Sequence, residues 1–173
     1  ISTDLDVLRR SIFSNLAIHL KKNQDRGYED LSLFEIGPTF FGKNPGEQQI
    51  VVGGLKSGKV NKKSWLDKER NIDVFDIKSD VIKTLLELGI GQNDLFVSDN
   101  TKHSYHPGRS GSINLKSIKG PHLAYFGEIH PAVIKNLDFK DKNIFGFEIF
   151  LKNIKKPNKK LHQNKKSFKF SDF

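Results

Sequence analysis

Several stretches of this sequence carry residue types that could do chemistry. His106-Pro107-Gly108-Arg109-Ser110-Gly111 sets an arginine among turn-forming residues, where Pro fixes one backbone angle and each Gly widens the allowed range. Flanked in this way, Arg109 could offer a bidentate fork to a carboxylate or an anion. A structural salt bridge is the reading we favour, because the body of the chain has no cationic surplus to draw anions in. Gly108 to Ser112 approaches a nucleophile elbow, G-x-S-x-G, but Ser112 holds the last place and a strand pattern follows instead of a helix, so hydrolysis is rejected. His103 and His106 form H-x-x-H; zinc needs three or four ligands, no cysteine is present to complete the set, and caps and turns are the roles expected for these histidines. Gly53 to Val60, GGLKSGKV, nearly spells a phosphate-binding loop, yet Val60 stands where a magnesium-binding hydroxyl belongs and no good helix pattern follows. It is read as a glycine- and lysine-rich loop. The segment from Lys56 to Asn71 is expected to be exposed and mobile, with Trp65 pinning it to the body.

The elements that must position these groups follow from periodicity. Thr3 and Asp6 suggest a capping signature for a helix over about residues 4 to 23, with Leu5, Leu8, Ile12, Phe13, Leu16 and Leu20 on one face. Arg9 and Arg10 lie at its polar margin, either solvated and salt-bridged or in contact with a partner or an RNA. Leu31 to Phe41 and Gln49 to Gly53 read as two antiparallel strands around a Lys43-Asn44-Pro45-Gly46 turn. A helix is predicted to open at Ser79 or Asp80 and end at Gly89, with Val74 to Ile77 as a strand or lead-in. Leu95 to Val97 is a short strand candidate. Ser112 to Leu115 and His122 to Ile129 pair as a hairpin, and His130 then caps a short helix over Pro131 to Leu137. Asn143 to Leu151, NIFGFEIFL, is apolar enough to be a central strand covered on both faces.

Composition narrows the classes. The 173 residues suit one domain, zero Cys excludes disulfides, and no stretch reaches the roughly 18 apolar residues of a membrane span, so a soluble, cytoplasmic protein is expected. Met is absent and the chain begins at Ile1, which suggests a piece of a longer protein. The net charge of +9 is unevenly placed: 29 basic residues face 20 acidic ones, but eight Lys and the single acid Asp172 lie from Lys152 onward. The tail is therefore +7 and the preceding 151 residues only +2. Phe168, Phe170 and Phe173 alternate in that tail, which reads as a mobile linker or the first strand of a further domain.

Three ordered blocks carry a family resemblance: LRRSIFSNLAIHLKKNQDRGYEDLSLFEIGPTF, DVFDIKSDVIKTLLELGI, and HPGRSG through FGEIHP. Together they resemble the catalytic-like module of the bacterial phenylalanyl-tRNA synthetase β subunit over most of residues 3 to 151. The resemblance implies an α+β fold similar to class II synthetases, an antiparallel sheet of about six strands flanked by helices. It implies a core over residues 1 to 151, followed from residue 152 to 173 by a basic linker and the start of an anticodon-binding domain. In a catalytic relative, an arginine on the first strand would hold the ATP α-phosphate; by alignment that place is Phe41, with Pro38 at a second, often basic one. Phe cannot donate a hydrogen bond or neutralise phosphate, so no catalytic, cofactor-binding or metal-ligating residue is expected in this stretch. A glycine turn leading to an ATP-binding arginine is likewise replaced by Lys152-Asn153-Ile154-Lys155. The implied role is a non-catalytic assembly module for the α subunit of an α2β2 ligase that joins phenylalanine to tRNA(Phe) with ATP and magnesium. The family's editing and metal-bearing domains, and its main subunit-interface motif, would lie upstream. Arg9, Arg10 and Arg109 are the candidate partner or RNA contacts. A free-standing RNA-binding module using the basic tail is the alternative, and an enzyme with its own nucleotide site a third.

Overall fold

The computed structural model describes residues 9–42, 44, 46–60, 69–139 and 143–154. Its elements run α1 (Phe13–Asp25), β1 (Leu31–Phe40), β2 (Gln48–Ser57), α2 (Val74–Glu87), β3 (Leu95–Ser98), β4 (Tyr105–Leu115), β5 (His122–Ile129), α3 (Pro131–Asn136) and β6 (Ile144–Phe150). The strands form one six-stranded sheet in the order β1-β2-β6-β5-β4-β3, antiparallel at every pair. The architecture is α+β, as its strand pattern suggests. None of the described helices is long and apolar enough to cross a membrane.

Alternation along β6 explains why the sheet has a core on each side. Ile144 and Phe150 join Leu16, Leu20, Val51, Leu55 and Ile134 on the face covered by α1 and α3. Phe145 and Ile149 join Ile77, Val81, Leu85, Ile113 and Phe126 on the face covered by α2. Period two puts successive side chains on opposite faces, so a central strand with helices on both sides must be apolar throughout. β6 meets that demand except at one place, Glu148.

Where the elements begin differs from expectation in three instructive ways. Helix α1 starts at Phe13, and residues 9–12 are not helical, while the Thr3 and Asp6 signal lies outside the described residues. The cause is a competing use of the backbone: the Arg9 carbonyl accepts from the Phe40 N–H at 2.9 Å, and Arg9 Nε donates to the Pro38 carbonyl at 2.9 Å. A carbonyl engaged by β1 cannot sit within a helix ladder, so the helix opens after Ser11, whose Oγ accepts from the Phe13 N–H.

Helix α2 starts at Val74, five residues before Ser79. Asp73 accepts from the N–H groups of Phe75 and Asp76, and the Asp76 carboxylate returns a bond to the Asp73 N–H. This capping box overrides the β-forming character of Val74 and Phe75. Gly89, at φ +88°, ends the helix as expected, with Ile90 N–H donating back to Leu85. Arg70 hydrogen bonds hold the Asp76 carboxyl down to about 2, assisted by the Asp73 backbone N–H and opposed by partial burial. A carboxyl lowered in the fold from its ordinary 3.8 stabilises above that value and loses its contribution as pH falls toward 2. Acid unfolding curves should therefore be shallower for Asp76→Asn than for the wild type across that window, and superimposable curves would refute the assignment.

The GGLKSGKV stretch is not a loop over most of its length. Gly53 to Ser57 are the second half of β2, and Ser57 is fully buried. Gly53 is needed for packing, since a Cβ there would run into Ile12 Cγ2 of the α1 layer, while one on Gly54 would press on the far end of the Phe147 ring. Beyond β2, Lys59 bridges Asn71, and Val60 N–H donates to Arg70. The exposed and mobile stretch expected there thus begins with ordered residues, while residues 61–68, including Trp65, lie outside those described. The basic tail beyond residue 154 lies outside as well.

Candidate functional site

HPGRSG is a bulge inside β4, where the sequence suggested a turn preceding a strand. The ladder steps from Tyr105 opposite Ile129 to Ser110 opposite Gly127, so β4 advances five positions while β5 advances two. The extra residues loop outward and are closed locally: Gly108 N–H donates to His106 Nδ1 at 3.0 Å, and Ser110 Oγ donates to the His106 carbonyl. Arg109 reaches back across the hairpin and grips Glu128 of β5 with both Nε and Nη2, the latter at 2.8 Å. This is the bidentate geometry of an arginine–carboxylate pair, directed at the chain itself.

The other nominated arginines divide. Arg9 forms an ion pair with Glu35 in addition to its bond to the Pro38 carbonyl. Arg10 is exposed. Three histidines are engaged in local structure: His106 Nδ1 accepts from Gly108 N–H, His122 Nδ1 lies 2.6 Å from Asn114 Oδ1, and His130 caps α3 by accepting from Ala132 N–H. Among the described residues, no group of three or more His, Cys, Asp or Glu is placed to hold a metal ion.

One buried, doubly partnered acid lies outside the residues that the sequence nominates. Glu148 projects from β6 into the α1-side core, where Ser11 Oγ donates to one carboxylate oxygen at 2.7 Å and Lys102 Nζ binds the other at 2.6 Å. The Lys102 ammonium also lies 4.9 Å from the Tyr125 ring centroid and 4.8 Å from that of Phe150. Burial, with the Glu148 charge adding to it, pushes the Tyr105 hydroxyl well above its ordinary range and raises that of Tyr125. The partners come from the start of α1, the β3–β4 connection and the central strand. The cluster therefore locks three distant parts of the chain together.

A pattern emerges across the sheet. Arg9 is paired with Glu35, Lys56 with Asp80, Lys102 with Glu148 and Arg109 with Glu128. A triphosphate site needs cations free to converge on anionic oxygens. Each of these four would have to abandon a carboxylate first. Phe41 stands just past β1, largely exposed, with Lys152 Nζ 5.7 Å from its ring centroid. At that position the chain presents an aromatic face, which stacks but does not donate.

On the α2 side of the sheet, helix α2 packs on β5 and β6, leaving β1 and β2 open. Phe34 is 74% exposed and Ile36 is 59% exposed there. Between this face and α2 runs a cleft of about 480 Å³, with Phe34, Ile36, Val52, Leu88, Phe147 and Leu151 among its walls. It is the apolar opening of the site region, in contrast to the salt-bridged bulge.

Comparison with known proteins adds a family. A family model described as the phenylalanyl tRNA synthetase beta chain CLM domain matches residues 1–151. The phenylalanine–tRNA ligase beta subunit of Rhodospirillum rubrum is 43% identical over 157 residues, covering 91% of this chain and 19% of that protein. That of Paramagnetospirillum magneticum is 40% identical over 154 residues, 89% of this chain and 19% of the relative. That of Bartonella henselae is 35% identical over 175 residues, 99% of this chain and 21% of the relative. The chain thus spans about a fifth of the length of the curated relatives it matches.

Proposed function

Because the chain belongs to the phenylalanyl-tRNA synthetase beta-chain CLM domain family, we propose that it serves as a non-catalytic assembly module of a phenylalanine–tRNA ligase β subunit. In this reading the module supports an α subunit within an α2β2 complex in the cytoplasm, and the α subunit attaches phenylalanine to tRNA(Phe) using ATP and magnesium. The module corresponds to the antiparallel sheet of a class II synthetase domain and ends near residue 151, where the family match ends. The stretch from Lys152 onward is then a basic linker toward a further domain.

The observation that carries the non-catalytic part is the pairing of Arg9, Lys56, Lys102 and Arg109 with carboxylates of the same chain. These four cations, already held by carboxylates, support the shape of the sheet and are poorly placed to clasp phosphate. An all-antiparallel sheet with a core on each face is a rigid body of the kind on which a subunit interface can be built. The test is association. A β subunit carrying this module should co-elute with its α subunit, and deletion of residues 1–151 should abolish co-elution. Retention of the complex after deletion would contradict the proposal.

A further inference from the structure

The cleft between β1 and α2 asks for an occupant. Large apolar side chains left contiguous on a folded surface mark a contact site. Here two of them, Phe34 and Ile36, sit beside a groove whose floor is Val52 and Phe147. Beside that groove, a Cβ on Gly54 would meet the Phe147 ring.

The way the chain leaves the sheet points to what fills it. Leu151, directly after β6, is part of the groove wall, and Ile154 packs against the same apolar cluster as Leu151 and Phe147. From the groove wall at Leu151 the chain runs past Asn153, whose side chain donates to the His122 carbonyl of β5, to Ile154, with 19 further residues in the given sequence. Those residues are mostly Lys, Asn and Ser, but they contain Phe168-Lys169-Phe170. In an extended segment this alternation places both rings on one face and Lys169 on the other. The 17 residues after Leu151, up to and including Phe168, can span up to roughly 56 Å, more than enough to return to a groove that begins at Leu151. A tethered ligand also meets its site at an effective concentration on the order of millimolar, so two aromatic anchors can suffice.

We propose that the groove lined by Phe34, Ile36, Val52, Leu88, Phe147 and Leu151 is a docking site for the Phe168–Phe170 segment of the same chain. The two rings enter the groove, and the lysines between and before them stay in water. This contact sets the direction in which the chain continues away from the sheet. The inference is independent of the assembly role proposed above and fails or stands without it.

The probe is anilinonaphthalene sulfonate, which fluoresces in open apolar clefts, applied to the intact chain. The wild type should bind the dye weakly, while Phe168→Ser/Phe170→Ser should bind it several-fold more strongly, with an unchanged thermal midpoint for the sheet. Phe168→Leu/Phe170→Leu should behave as the wild type. Adding Phe34→Ser/Ile36→Ser to the serine variant should return the signal to its starting level, which locates the dye in the groove. Equal dye binding by the wild type and the serine variant would overturn the proposal, as would protection that appears only as the chain dimerises with concentration. Protection appearing only on addition of a ligase α subunit would equally assign the groove to a partner and overturn it.

Discussion

Lys102→Met is expected to destabilise the chain by about 3 kcal/mol, the lower end of what breaking a buried ion pair costs. The lower end applies because the Lys102 side chain keeps 39% of its surface in solvent, whereas Glu148 keeps 6%. The substitution preserves most of the aliphatic stem that lies against Tyr125 and Phe150, and removes the ammonium. Glu148 would then hold a carboxylate in the core with Ser11 Oγ as its remaining hydrogen-bond donor. Pairing the change with Glu148→Gln should cost clearly less than the two single changes added together, by about 2 kcal/mol of coupling. Urea unfolding of the four proteins in this cycle measures the coupling. Strict additivity would show that Lys102 and Glu148 are neighbours without being partners.

The second large effect is expected at the adjacent glycines of β2. Gly53 faces α1, where a new Cβ meets Ile12 Cγ2, on a β-branched side chain that is fully buried. Ile12 cannot rotate away without vacating its place, so Gly53→Val should lift α1 from the sheet and cost about 3 kcal/mol, the upper end for overpacking. Gly54 faces the other way, where the nearest atoms are at the far end of the Phe147 ring beside the open groove. That ring has somewhere to go. Gly54→Val should therefore cost about 1 kcal/mol. Thermal unfolding of the two variants should rank Gly53→Val as much the less stable; equal midpoints would mean that α1 is not seated as described.

These positions also show how far the sequence could be read. Strand existence was legible because β-formers and alternation mark β1, β3, β5 and β6, and the apolar run of β6 identified it as central. The family resemblance supplied the order of the blocks, and the matched family covers the same residues. Glycine misled in two places. In Gly53-Gly54 it serves close packing on both faces of a strand, while in HPGRSG it serves a bulge; both patterns look like loops to a local reading. Asp73-x-x-Asp76 is a capping box written with Asp where Glu is usual, so the start of α2 was placed five residues late at Ser79. The Glu148 cluster could not be assembled from the sequence, since Ser11 lies 137 residues away and Lys102 lies 46 away. A lone acid in NIFGFEIFL was the signal that existed, because a charge on a strand covered on both faces must find partners. The open face of β1 was hidden for the opposite reason: Phe34 and Ile36 look like core residues until the position of α2 is known.

We have proposed that this sheet holds a ligase subunit together and does not clasp a nucleotide. Size-exclusion chromatography with light scattering tests it most directly, applied to a phenylalanine–tRNA ligase α subunit mixed with β subunits that carry or lack residues 1–151, with radiolabelled ATP in the column buffer. A complex is expected only when the module is present, with label travelling with the α subunit and none with the module-bearing β subunit alone. A β subunit that carried label by itself, or that formed the complex without residues 1–151, would contradict it.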